Sequence, residues 1–388
     1  FAGYNSFQNL TIGGRKRDGS DAFNQLSAMC IKATAHVRTP QPGLSVRIHP
    51  DTAEEDLMEV CRLIRLGTGF PAVHNDRLGM EMLLAVGLLP EDARDWSNCG
   101  CVVPHNRKVG EWTAAANVNL AAALEFVLTN GRCQLTGEKL GLATGDLAAF
   151  ITFDDFRAAV YRQLDYLIQQ AKIATILAQQ IHSELIPRPF VSSLVSGCME
   201  QGRDLSLGSA RYTVGAVLTG IGVANVVNSL AVIKQLVYEQ QKTSLPELGR
   251  AIADNWKGYA DLRAMAQQVP KYGNDIAEVD VLAVALTDFY HRQVVKDKDF
   301  WHKPFTSAFM GISNYIPMGT VIGATPDGRK AGEPLTEGIS PYAGTDISGP
   351  TAAMRSVARI NHESHSGGTL LNLKLSPDAL TSERDLAN

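Results

Sequence analysis

The chain has 388 residues, of which 45% are hydrophobic and 20% charged, a globular balance that excludes disorder, and it has no apolar run long enough to span a bilayer. Its 36 basic and 40 acidic residues leave a net charge of -4 spread along the chain, which excludes a polyanion-binding footprint and so nucleic acid as a partner. Six cysteines, Cys30, Cys61, Cys99, Cys101, Cys133 and Cys198, are sparse apart from one Cys-x-Cys, and they point to a reducing cytoplasm rather than a secreted disulfide scaffold.

Neither an initiator Met nor a signal pattern opens the chain, and Ser376-Pro377-Asp378 begins a helix signal still running at Asn388. Both ends read as cut. Turns at Gly13-Gly14 and Asp18-Gly19 precede a helix from Asp21 to about Val37, then a half-buried strand over Leu44–Ile48 whose apolar and polar residues alternate. Asp51-Thr52 starts a second helix with Leu57, Val60, Leu63, Ile64 and Leu66 on one face, and Gly67-Thr68-Gly69-Phe70-Pro71 breaks it. Ala72–Asp76 is a short loop or strand end, and a third helix runs from Asp76 to about Leu88. Such alternation favours an α/β layer or barrel.

Between Asp95 and Thr113 a short segment brings Cys101 to a tip flanked by Gly100 and Pro104, and the pair Arg107-Lys108 follows. The Ala, Leu and Val pattern from Ala114 to Leu128 predicts a helix buried on most faces, closed by Asn130-Gly131. The longest helical pattern covers Phe153 to about Leu185, with a stripe from Phe156 through Val160, Leu164 and Ile168 to Ala178 and Ile181. An irregular segment around Gly197-Cys198 and Gly202-Arg203-Asp204 follows, and Thr219–Asn225 opens a helix reaching about Glu239. Further helices are expected over Leu245–Trp256 and Asp280–Val294. Gly311 to Pro350 is Gly/Pro-rich and dominated by turns. No repeat or linker divides the chain, so one domain spanning 1–388 is expected.

Several readings compete at the chemical candidates. Cys99 and Cys101 lack the second pair that a structural zinc site requires. Cys101 is either a thiolate nucleophile, with His105 or His74 as base, or an inert buried thiol. Gly319–Lys330 lacks the Gly-Lys-Ser/Thr ending of a phosphate loop, and Pro326-Asp327-Gly328 taken alone is a surface turn. Arg107 and Lys108 face solvent or grip a carboxylate. His74-Asn75-Asp76 and the pair His362 and His365 suit polar pocket walls or satisfied structural roles.

In order along the chain, Phe7-Gln8-Asn9 with Gly13-Gly14, Gln41–Arg47, Gly67–Pro71 with Asn75-Asp76, Gly100-Cys101-Val102-x-Pro104, Gly323–Pro334, Gly338–Pro341 and Gly349–Ala352 resemble successive segments of the glycyl radical enzyme family. The resemblance implies a ten-stranded β/α barrel, two opposed five-stranded halves surrounded by helices, here as an internal fragment. The N-terminal part and the C-terminal radical-glycine segment, with its Arg-Val-x-Gly-Tyr-like motif, would lie outside it, leaving the fragment inactive alone. Cys101 would carry the thiyl radical and Cys99 would pack. The radical would be installed on the glycine by a radical-SAM iron-sulfur activating enzyme, whose cluster belongs to that partner.

Relatives of the lyase type commonly carry Glu where this chain has Val103, a carboxylate suited to proton transfer. Its replacement by an isopropyl group, and the run Lys108–Ala114, resemble the fumarate-adding branch, with the alkylsuccinate synthases nearer than benzylsuccinate synthase. That resemblance implies thiyl abstraction of hydrogen from an n-alkane and addition of the carbon radical to fumarate, as the first step of anaerobic alkane degradation. Benzylsuccinate synthase, another glycyl radical lyase or decarboxylase, and a catalytically silent paralogue are the alternatives. On this reading Arg107 and Lys108 hold fumarate, Gly100 and Val103 flank the sulfur, and Ile221, Val223, Ala224, Tyr315, Ile316 and Pro317 wall a hydrocarbon pocket. Small accessory subunits and an oligomeric assembly complete the expected partners.

Overall fold

A computed structural model describes residues 8–39, 41–100, 102–110 and 114–387. Cys101 and Glu111–Thr113 therefore lie outside the described residues. The chain divides into two compact units, one formed by 1–111, 188–213 and 374–388, the other by 112–187 and 214–373.

The first unit is built on β1 (Asn9–Gly13), β2 (Gly43–Ile48) and β3 (Ala72–Asn75), paired in that order and all parallel. Residues 44–47 of β2 are all buried, as a central parallel strand requires. The connections are helices Gln25–Val37 and Glu54–Arg65, whose Ile31, Val60 and Leu63 pack on Ile12, Leu44 and Val46. The first helix starts later than expected because Asn24, not Asp21, caps it: the Asn24 side chain accepts from the Leu26 and Ser27 amides, and Ser27 returns a bond. After helix Asp76–Ala85, an antiparallel hairpin joins β4 (Ser97–Cys99) to β5 (Val103–His105).

The second unit is built on β6 (Ala114–Asn119), β7 (Val217–Ile221) and β8 (Thr306–Ala308), again parallel in chain order. Here the structure corrects the periodicity. Ala114–Asn119 is a strand, and the helix starts only at Leu120, where the Asn119 side chain accepts from the Ala122 amide. Likewise Val217–Ile221 is a strand; Gly222, at φ +92°, ends it and opens helix Val223–Val232, which widens into a π-helix over Ile233–Glu239. Strand pairing some hundred residues apart overrides the local helical pattern. Leu120 to Val127 are all buried as expected.

In helix Phe153–Leu185 the buried face runs from Phe156, Val160, Leu164 and Ile168 to Lys172 and Thr175, while Ala178 and Ile181 are exposed. The Lys172 ammonium makes that turn tolerable by donating to the Gln293 carbonyl (2.5 Å) and Asp297 (2.7 Å). Leu245–Ala253, Ala260–Gln268 and Ala277–Val295 complete the core with Leu248, Ala266, Ala283 and Leu286. Within the turn-rich region the structure adds helices Tyr315–Thr320 and Pro350–Ala358. The eight strands of the described residues form two separate three-stranded parallel sheets and one hairpin, so the closed ten-stranded barrel is not formed by them.

Candidate functional site

The hairpin that carries position 101 is fixed to the first sheet by small polar side chains. Cys99 pairs with Val103 at the end of the hairpin, and Gly100 and Val102 are the described residues between them. Gly100 adopts φ +66° with open space beside its Cα; the left-handed backbone, not crowding, is what calls for glycine. From β4, the Asn98 amide donates to Thr11 Oγ1 (3.3 Å), and Asn98 Nδ2 donates to Ser45 Oγ (2.9 Å) and His74 Nε2 (2.7 Å). For His74 to accept there, its ring must be neutral with the proton on Nδ1. Burial and the Arg47 cation favour that form, pushing its pKa down to about 4. His74 is therefore an acceptor that orients Asn98.

Beneath the hairpin lies a buried ion pair. Arg47, next to His74 in the sheet register, meets Asp76 at the start of its helix and also donates to the Trp96 and Arg94 carbonyls. Its guanidinium lies 4.6 Å from the Trp96 ring centre. The indole in turn lies on Gly79, where a Cβ would come within 2.6 Å of ring atoms, so a side chain there would push Trp96 away.

On the far side of the hairpin the expected fumarate ligands separate. Lys108 donates to Asp92 Oδ1 (2.7 Å), while Tyr212 donates to Asp92 Oδ2 (2.8 Å) and Arg17 approaches at 3.3 Å. Asp92 is almost fully buried, and these donors hold its pKa below the ordinary value against the opposing effect of burial. Lys108 thus neutralises a structural carboxylate. Arg107 is exposed. Asn106 Nδ2 bridges the Asp92 and Asp95 carbonyls (both 2.8 Å), which fixes the loop leaving β5. Val103 is buried at 7% exposure, and Cys99, expected to pack, is exposed. Among the described residues His105 meets the Gly110 carbonyl at 3.5 Å, and burial lowers its pKa.

In the second unit the expected pocket walls also divide. Ile221 is fully buried in a small cluster with Ala121, Ile322 and Leu335, against which Tyr315 packs. Val223 and Ala224 belong to the main core, and Ile316 is 45% exposed. Core packing accounts for the first pair, and Ile316 faces away from that cluster's interior.

The Pro326-Asp327-Gly328 turn is buried, not superficial. Asp327 accepts from Thr325 Oγ1 (2.5 Å) and Asn225 Nδ2 (3.2 Å), and burial raises its pKa. Arg329 donates to the Gly323 and Gly319 carbonyls (both 2.7 Å) and to Glu333, so one guanidinium closes the loop on itself. Glu125, buried on helix Leu120–Leu128, takes the Gly323 amide at 2.7 Å. His365 is fully buried, bonded through Nδ1 to Ser307 Oγ (2.9 Å), and His362 bonds Thr369 and the Val357 carbonyl. Ser45, Asn98, Asn106 and Tyr212 were not singled out from the sequence. Only the position of Ser45 in a strand that is otherwise largely apolar marks one of them in advance.

A model for pyruvate formate lyase-like proteins matches residues 1–319 and one for the glycine radical segment matches 335–388. The chain belongs to the pyruvate formate lyase-like, glycyl radical family. It is 34% identical over 380 residues to a (2S)-3-sulfopropanediol dehydratase from Klebsiella oxytoca, covering 96% of this chain and 46% of that protein. It is 31% identical over 403 residues to an isethionate sulfite-lyase from Desulfovibrio desulfuricans, covering 98% and 47%. The fold matches the glycerol-bound B12-independent glycerol dehydratase from Clostridium butyricum with a TM-score of 0.94 and 37% identity, over 100% of this chain and 49% of that one. The chain spans about half the length of the curated relatives it matches. These relatives are two dehydratases and a sulfite-lyase, whereas the motif comparison at Val103 led to the fumarate-adding branch.

Among the described residues no helix is long and apolar enough to cross a membrane.

Proposed function

We propose that the protein to which this chain belongs is a glycyl radical lyase acting on a small substrate by hydrogen-atom abstraction at Cys101. The hairpin supports this reading: β4 and β5, held to a buried sheet, pair up to Cys99 and Val103 on either side of the family's cysteine motif, which suits a single side chain presented in fixed geometry. A glycyl radical supplies the oxidising equivalent that turns the Cys101 thiol into a thiyl. The sulfur then takes a hydrogen atom from a hydroxyl-bearing substrate carbon, the neighbouring leaving group departs with the electron pair of its bond and with the hydroxyl proton to leave a carbonyl-bearing carbon radical, and the S–H returns a hydrogen atom to that radical and becomes the thiyl again. The dehydratase and sulfite-lyase relatives support elimination as the middle step. Activation would need a radical-SAM partner enzyme.

Val103 favours a second reading. An isopropyl group beside the reactive turn offers no proton to a departing hydroxyl, whereas addition of a carbon radical to fumarate needs none. On that reading an n-alkane is the hydrogen donor and a (1-methylalkyl)succinate the product.

The two separate by product. The full-length protein, activated anaerobically, is incubated with deuterated propane-1,2-diol, glycerol or isethionate, and in parallel with fumarate and hexane. Elimination products alone are the expected result. An alkylsuccinate in the second reaction, with no turnover in the first, would overturn elimination in favour of fumarate addition. Absence of any product with Cys101 intact, across both sets, would sink both.

A further inference from the structure

We infer that the cavity behind the buried Pro326-Asp327-Gly328 turn is a binding site for a small oxyanion of the phosphate type. The cavity holds about 220 Å³ and lies wholly within the second unit. Its walls come from three directions: Asn228 on helix Val223–Val232, Arg263 on helix Ala260–Gln268, and Lys271 on the segment that follows. Gln267, Asp327, Arg329, Glu333, Tyr342 and Thr345 complete the polar lining.

The argument rests on unused donors. Asn228 is 1% exposed; its Oδ1 accepts the Tyr272 amide at 2.9 Å, but its Nδ2 has no partner among the described residues. A buried amide donor left unpaired is costly, and native structures rarely tolerate one without a ligand or ordered water. Lys271, 6% exposed, gives two of its three protons to the Ala266 and Val269 carbonyls, both at 2.6 Å, and keeps one. Arg263 spends its Nε on the Gly328 carbonyl (2.8 Å), leaving the Nη groups as its remaining donors.

The acceptors in the lining do not use these donors. Asp327 is engaged by Thr325, Asn225 and the Arg329 amide. Glu333 accepts from the Lys330 amide (3.0 Å). Burial lowers the Lys271 pKa to about 8 even though the Asp327 carboxylate opposes the shift, so the ammonium is only partly compensated. An occupant must therefore bring oxygen acceptors and negative charge, and donors from three directions suit a three-dimensional oxyanion better than a planar one. Filled by water alone, the same space would hold about seven molecules. Bound there, an oxyanion would tie the core helix to the turn and to the Tyr342–Thr345 segment.

The experiment is isothermal titration of full-length protein with inorganic phosphate against chloride of equal ionic strength, with thermal unfolding in parallel. Saturable binding and a phosphate-dependent rise in midpoint are expected. Arg263→Gln, at a partly exposed position, should weaken affinity about tenfold or more. Asn228→Asp keeps the acceptor for Tyr272 but replaces the free donor with an oxygen, and should weaken it at least as much. Heats that do not saturate by about 10 mM phosphate, a very weak affinity by the usual scale, would overturn the proposal and leave a hydrated cavity. Unchanged affinity in both correctly folded variants would also overturn it.

Discussion

Arg47 donates to one oxygen of Asp76 from both Nε (2.7 Å) and Nη2 (2.5 Å), while Asp76 Oδ2 accepts the Arg15 amide (3.1 Å). Both side chains are about 7% exposed. The pair therefore joins a central strand, a helix N-terminus and, through the Trp96 carbonyl, the entry to the β4–β5 hairpin. Removing one partner leaves a buried charge. Arg47→Met or Asp76→Leu should each destabilise by about 3–5 kcal/mol, and the double variant should recover part of that loss. Urea unfolding of the four proteins measures the coupling. Strict additivity would mean that the pair does not act as a unit.

Cys101→Ala in the activated full-length protein should abolish product, and Cys99→Ala should leave most of it. Cys99 is exposed on β4, paired with Val103, and only Cys101 falls in the family's cysteine motif. Product assays combined with detection of the glycyl radical distinguish lost chemistry from lost activation. The reverse pattern would assign the reactive thiol to Cys99.

Lys108→Met tests whether that ammonium serves the fold or a substrate. Because Lys108 meets the buried Asp92, the variant should lose about 1–3 kcal/mol of stability with KM nearly unchanged. A raised KM at constant unfolding midpoint would restore Lys108 to the substrate site.

His365 makes stability pH-dependent. Burial and the neighbouring His291 and His362 push its pKa down to about 3, against an ordinary value near 6.5, so the folded state holds it neutral. The unfolded chain binds the proton first as pH falls. Its contribution is complete above about pH 6.5, declines through the acid range and is exhausted near the folded pKa. Between about pH 7 and about pH 5 the loss from this residue is about 2 kcal/mol. Unfolding of His365→Asn at the two pH values should show a smaller difference than the parent by that amount. An identical difference would place the titration elsewhere.

How much was legible follows from the range of the interactions. In the first ninety residues the three helices and the strand over Leu44–Ile48 are signalled locally by apolar faces, two-residue alternation and breaks such as Gly67–Pro71, whereas β1 (Asn9–Gly13) carried no such signal and Ala72–Asn75 read only as a loop or strand end. Ala114–Asn119 and Thr219–Ile221 read as helix because alanine, glycine and valine carry no clear period. They are strands because they pair with each other and with Thr306–Ala308 across long separations.

The sequence by itself determined the family, since ordered motifs from Gly13 to Ala352 persist whatever the packing, and it singled out Cys101 and the Val103 substitution. Only the tertiary structure decided which polar groups are already engaged. Lys108 answers Asp92, Asn98 ties the hairpin to Ser45 and His74, and the Asp327 turn is buried over a cavity. A charge in a sequence has no partner until folding brings one within hydrogen-bond reach, and whether it is then spent or free depends on residues far away in the chain.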